Sequence, residues 1–93
     1  MKLRLSETAA SHLDDLYTYT TDTFGIGQWL IYGDALQTAC SSLCQFPEIG
    51  LHHDVLPTGC RAFRVRQHWI FFRHDEHTLD VLAIVRERRE FEQ

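Results

Sequence analysis

Charged and apolar residues alternate over Lys2–Leu5, the period of two that suits a strand with one covered face. Ser6 follows with a hydroxyl able to accept from the first free amides of a helix, and Glu7 stands where a helix dipole favours negative charge. A strand therefore passes directly into a helix. Over residues 7–24 the period lengthens to that of a helix: Ala9, Leu13, Leu16 and Thr20 share one side, Ala10, Tyr17 and Phe24 lie beside them, and Gly25 supplies the stop. A second stripe, Trp29, Tyr32, Leu36, Ala39, Leu43 and Phe46, predicts a helix over 27–46, ended by Pro47, whose nitrogen cannot extend the ladder. Two helices joined by so few residues pack as an antiparallel hairpin.

From Pro47 to Gly59, Pro, Gly, His, Asp and Thr break any period, and the segment reads as a connecting loop. Three runs rich in Phe, Val, Ile and Trp come next, at 61–65, 68–73 and 79–85, separated by Arg66-Gln67 and by the polar turn 74–78. These spacings predict a three-stranded antiparallel meander, so the fold class is α+β: an N-terminal strand, a helical hairpin, then the meander. In the last run Leu79, Val81, Ala83 and Val85 fall on one face and Leu82 and Ile84 on the other, which places it centrally in the sheet. One hairpin covers one face, so the other is a candidate docking surface.

With 93 residues, 44% of them apolar and 24% charged, the chain is read as a single domain over 1–93. A core this small leaves stability modest, and a partner covering residual apolar surface would add to it. No stretch approaches the length of a membrane span, and Lys2, Arg4 and Glu7 exclude a signal peptide's apolar segment, so a cytosolic location is expected and no membrane partner. Cys40, Cys44 and Cys60, an odd number in a reducing compartment, argue against a disulfide framework.

The net charge of −4 is uneven: residues 1–60 carry two cations against seven acids, whereas residues 61–93 carry seven arginines against six acids. An anionic partner would dock on the second segment, but the acidic total opposes strong sequence-blind binding to nucleic acid, and no direct sequence-specific nucleic-acid binding is expected.

Arg61-Ala62-Phe63-Arg64-Val65 followed by His68-Trp69-Ile70-Phe71-Phe72-Arg73 is similar to the Arg-x-Phe-x-Val, short turn, His-x-Ile-x-Phe-Arg segment of ParE-like toxins in the RelE/ParE toxin–antitoxin superfamily. Leu5-Ser6, Leu13 to Tyr19, Leu43 to Pro47, and Val81 to Val85 followed by Arg88-Arg89 agree with the same pattern, so the resemblance spans essentially the whole chain. It implies a type II toxin that poisons DNA gyrase without turning over a substrate, neutralised in a hetero-oligomer by a ParD-like antitoxin wrapping the hairpin and sheet. On that reading Arg61, Arg73, Arg86, Arg88 and Arg89 touch the target, Trp29, Tyr32, Phe63, Trp69 and Phe71 touch the antitoxin, and there is no catalytic residue, cofactor or metal.

The sister RelE-like toxins cut messenger RNA, which needs cations at the phosphate and a group that moves protons near neutral pH. Here Lys2 is the sole lysine, no tyrosine follows Tyr32, and Arg86 occupies the position after the last run where many relatives place histidine. Arginine stays protonated and serves poorly as acid or base. An mRNA endonuclease and an inactive antitoxin-binding, operon-regulating homologue remain the alternatives. His68 reads as a strand residue hydrogen-bonded to backbone, and His74 and His77 as solvated turn residues. Cys40 and Cys44, four apart on a helix, could hold zinc with His52, His53 or Cys60, but they sit beside the apolar stripe and the spacing fits no compact zinc motif. Tyr17, Trp29 and Tyr32 read first as hairpin packing. The arginines admit two readings, a solvated sheet edge paired with acids such as Asp80 and Glu87, or planar forks for carboxylate or phosphate.

Overall fold

A computed structural model describes residues 1–87, and Arg88 and Arg89 lie outside it. The elements run β1 (Lys2–Leu5), α1 (Glu7–Phe24), α2 (Ile26–Gln45), a 3-10 turn (Pro47–Ile49), β2 (Arg61–Val65), β3 (His68–His74) and β4 (Thr78–Arg86). They form one four-stranded sheet in the order β1-β4-β3-β2, with the hairpin on one face. The meander is antiparallel, and β1 joins it parallel to β4, pairing Lys2 with Thr78 through Leu5 with Val81. β4 is thus central along its first half, as its two apolar faces predict.

Ser6 makes the passage from strand to helix abrupt. Its Oγ accepts from the Ala9 amide at 2.9 Å, capping α1, and donates to the Leu82 carbonyl at 2.9 Å, while its amide donates to the Val81 carbonyl. One residue thereby ties the start of the hairpin to the middle of the sheet. Ser6→Ala removes both side-chain bonds and leaves a carbonyl unpartnered. We expect a loss of about 2 kcal/mol in urea unfolding, against almost none for the exposed Ser11→Ala.

The Leu82 carbonyl is free to accept because the ladder slips there: Phe71 pairs with Ala83 but Phe72 with Val81, so Leu82 is an extra residue on β4. The bulge changes which side chains face the hairpin. Leu79, Val81 and Ile84 are buried against it together with Ile70 and Phe72 of β3, whereas Ala83 and Val85 turn to the opposite face. The expected partition of β4, with Val81 and Ala83 together and Ile84 opposite, is corrected by that single residue.

Leu36, Ala39 and Leu43 of α2 and Ala9 of α1 complete the core, with Leu13, Leu16, Tyr32, Cys40 and Cys44 packed around them. Phe46 departs from the predicted stripe. It is the C-cap of α2, with non-helical φ of −137° and ψ of 73°, and is 55% exposed. The segment after it is also more ordered than a plain loop. Pro47, buried, begins the 3-10 turn, and Leu51 and Ala62 exchange both backbone hydrogen bonds, covering part of the outer edge of β2. Proline is at home in a first turn that it cannot extend, so the residue that ends α2 also starts the next turn.

Candidate functional site

The register of the sheet fixes where its arginines go. Arg61 pairs with Phe72 and Arg73 with Asp80, at the end of the sheet where β2 begins and β3 finishes. Arg86 pairs with His68 at the other end, roughly 15 Å away by strand rise. The target-binding set is therefore divided, and Arg88 and Arg89 fall outside the described residues. Arg61 is half-buried and donates to the Gly50 carbonyl at 2.9 Å, holding the segment after α2 against β2, while Arg73 is exposed.

At the Arg86 end, two further arginines join it that the sequence did not single out. Arg64 pairs with Glu87 at 2.5 Å and donates through Nε to the Arg66 carbonyl. Arg66, in the β2–β3 turn, has φ of 55°, a left-handed conformation whose crowding of Cβ a glycine would not incur. Arg86 donates to the Gln67 side-chain oxygen at 3.4 Å, and among the described residues it forms no ion pair.

Tyr32 reaches this end from α2. Its hydroxyl lies against the Val65 carbonyl at 3.3 Å and bonds His68 Nδ1, with the two rings edge-on at 5.3 Å. Burial raises the Tyr32 hydroxyl above its ordinary value, partly offset by the Gln67 amide and by Arg66 and Arg86. Burial, then the charge on Arg86, lowers His68 below 6.5. The expected backbone partner of His68 is thus replaced by a tyrosine 36 positions away. The unfolded chain binds a proton at His68 near 6.5 more readily than the folded one, so this residue's share of stability is complete above that value and falls as pH drops toward the folded pKa. Urea midpoints should fall more between about pH 7.5 and about pH 5.5 in the native chain than in His68→Gln.

On α1, His12 Nδ1 accepts from the Ile84 amide at 3.2 Å. That amide points outward because β1 ends at Leu5 and leaves β4 without a neighbouring strand beyond Val81. Between α1 and this open length of β4 lies a cleft of about 530 Å³, lined by His12, Asp15, Tyr19, His68 and Arg86 among others. A second concavity, about 540 Å³ and apolar, lies between α2 and β1 and includes Leu3, Trp29, Leu36, Cys40 and Cys44. Cys40 and Cys44 help pack the core, Cys60 is buried, and burial followed by the neighbouring Cys44 raises the Cys40 thiol. His52, His53, His74 and His77 are exposed.

The aromatic set is also distributed. Trp29 packs edge-on against Tyr17 at 5.3 Å within the hairpin, Tyr32 is held by His68, and Phe63 packs on the core. Trp69 and Phe71 lie opposite the hairpin, on the face shared with Ala83 and Val85, all four half-buried. The pairing of Tyr32 with His68 and that of His12 with Ile84 are missing from the sequence reading, since no local pattern marks contacts across 36 or 72 positions.

A strand, a helical hairpin and a meander with arginines at both ends define a small α+β fold. The chromosomal ParDE toxin–antitoxin system of P. aeruginosa contains a chain of this fold, with a TM-score of 0.79, 21% identity, and coverage of 95% of this chain and 97% of that one. Residues 3–91 match the family described as the ParE toxin of the type II toxin–antitoxin system, parDE, and the chain belongs to that family. Toxin ParE1 of Mycobacterium tuberculosis is 32% identical over 85 residues, covering 90% of this chain and 87% of the relative. Toxin ParE1 of Caulobacter vibrioides is 31% identical over 70 residues, covering 75% and 73%. No helix among the described residues is long and apolar enough to cross a membrane.

Proposed function

We propose that this chain arrests growth in the cytoplasm by binding and inhibiting DNA gyrase, without catalysing a reaction itself, and that a ParD-like antitoxin neutralises it in a hetero-oligomer. The family match over residues 3–91 carries the reading. The chemistry around Arg86 supports the non-enzymatic part. At the end of the last strand stands Arg86, a poor acid or base, and Tyr32, which reaches that end from α2, has its hydroxyl bonded to His68 and raised above its ordinary value by burial. The exposed Arg73 and Arg86 are suited to carboxylates on a protein target, and Trp69 and Phe71 to an apolar stretch of the antitoxin.

Purified chain added to a gyrase supercoiling reaction, and in parallel to translating ribosomes with messenger RNA read by primer extension, tests this. Lost supercoiling or accumulated cleaved DNA with intact message is expected. Cut message with unaffected gyrase would replace the proposal with ribosome-dependent cleavage.

A further inference from the structure

We propose that the cleft between α1 and the open length of β4 is a binding site for a nucleotide, holding its phosphate at His68, Gln67 and Arg86 and its base at the rim formed by Tyr19 and Phe24. This site shares Arg86 with the gyrase reading but does not rest on that reading. Four elements deliver the donors: His68 begins β3, Gln67 lies in the turn before it, Arg86 ends β4, and His12 comes from α1. Three of these are already oriented. Arg86 is steered by Gln67, His68 by Tyr32, and His12 by the Ile84 amide, which takes its Nδ1 as acceptor and leaves the other ring nitrogen to donate. A ligand meeting them finds side chains whose freedom is already spent.

His68 and Arg86 stand directly opposite each other across the strand pair, so their N–H donors can converge on one ligand. Among the described residues no carboxylate pairs with Arg86. A phosphate suits its planar guanidinium fork and can accept from the imidazole beside it as well. Arg66, held in its left-handed conformation in the same turn, adds positive potential.

The rest of the lining favours a nucleotide over bare phosphate. Asp15, a carboxylate on α1, opposes a free anion but accepts hydrogen bonds from sugar hydroxyls. Tyr19 and Phe24, 51% and 64% exposed, are set edge-on at 6.3 Å at the same cleft and offer ring faces to a base. The volume, about 530 Å³, falls within the range of small-ligand pockets. The chain's net charge of −4 opposes binding along an extended backbone, but a single phosphate in a cleft depends on the local field.

Amide shifts recorded by NMR test this, with a nucleoside 5′-monophosphate, inorganic phosphate and a short single-stranded oligonucleotide titrated into the purified chain. The mononucleotide should saturate, shift the Ile84 and Gln67 amides, and bind about tenfold or more tighter than inorganic phosphate. Arg86→Gln, exposed and safe for folding, should weaken it by about tenfold, and Phe24→Ala by about fivefold. Tighter binding of the oligonucleotide identifies the source as a strand, and equal or weaker binding identifies it as a free nucleotide. No saturation at millimolar ligand, equal affinity for inorganic phosphate, or unchanged binding by Arg86→Gln overturns the site, whatever the supercoiling assay shows.

Discussion

Phe72→Ala should cost about 3–5 kcal/mol, the range for deleting a buried aromatic side chain. Phe72 is the largest fully buried residue, at 0% exposure, and it sits where three layers of contact meet. On β3 it lies beside Val81 of β4 and Arg61 of β2, with the hairpin above, and the Gly50 backbone closes over its ring. Its neighbours belong to different elements that are themselves tied down, so the surroundings cannot collapse into the vacancy. Domains of this size hold only about 5–15 kcal/mol in all, so the variant should be largely unfolded at moderate urea. Each kcal/mol corresponds to roughly 4–8 °C in the melting temperature of a chain this short. A loss below about 2 kcal/mol by circular dichroism would mean that the core relaxes around the site and that Phe72 does not anchor the sheet.

The features that place Phe72 there were mostly visible before the structure. The helical stripes put Leu36, Ala39 and Leu43 on one face, the Ser6 cap and the Gly25 stop bounded α1 as observed, and β2 began and ended as the alternation predicts. What escaped has a common physical cause. In β4 the run Val81-Leu82-Ala83-Ile84-Val85 is apolar at every position, so alternation carries no phase there and a one-residue bulge leaves no mark on the pattern. Only the Ser6 hydroxyl, waiting for a second partner after capping α1, hints at a carbonyl released from the ladder.

The candidate site was less legible than the fold. A cluster of arginines in sequence became two groups at opposite ends of the sheet, because neighbouring strands run in opposite directions and residues close in the chain, such as Arg61 and Arg66, are separated by the length of a strand. The same geometry brought His68 and Arg86 face to face from strands 18 positions apart. His68 was recognised as a strand residue needing a partner, but that partner came from α2, where Tyr32 reads simply as one more member of the apolar stripe. Amphipathic residues conceal such roles: the ring satisfies the packing pattern and the hydroxyl acts elsewhere.

Gly50→Ala should destabilise by about 1–3 kcal/mol, through overpacking rather than through backbone freedom. Gly50 has φ of −69°, an ordinary extended conformation that alanine adopts without strain. The obstacle is space. A methyl group there would stand 2.7 Å from Phe72 Cε1, closer still to Cζ, and 3.1 Å from Arg61 Cβ. Phe72 is fully buried and has nowhere to move, and Arg61 is held by its bond to the carbonyl of Gly50 itself. The cost should therefore depend on the aromatic ring. In a Phe72→Ala background the new methyl enters the vacated volume, so adding Gly50→Ala should be neutral or slightly stabilising, a coupling of about 1–3 kcal/mol between residues 22 positions apart. Additive losses in the double variant would place the penalty in the backbone of the segment after α2 and dismiss the ring as its cause.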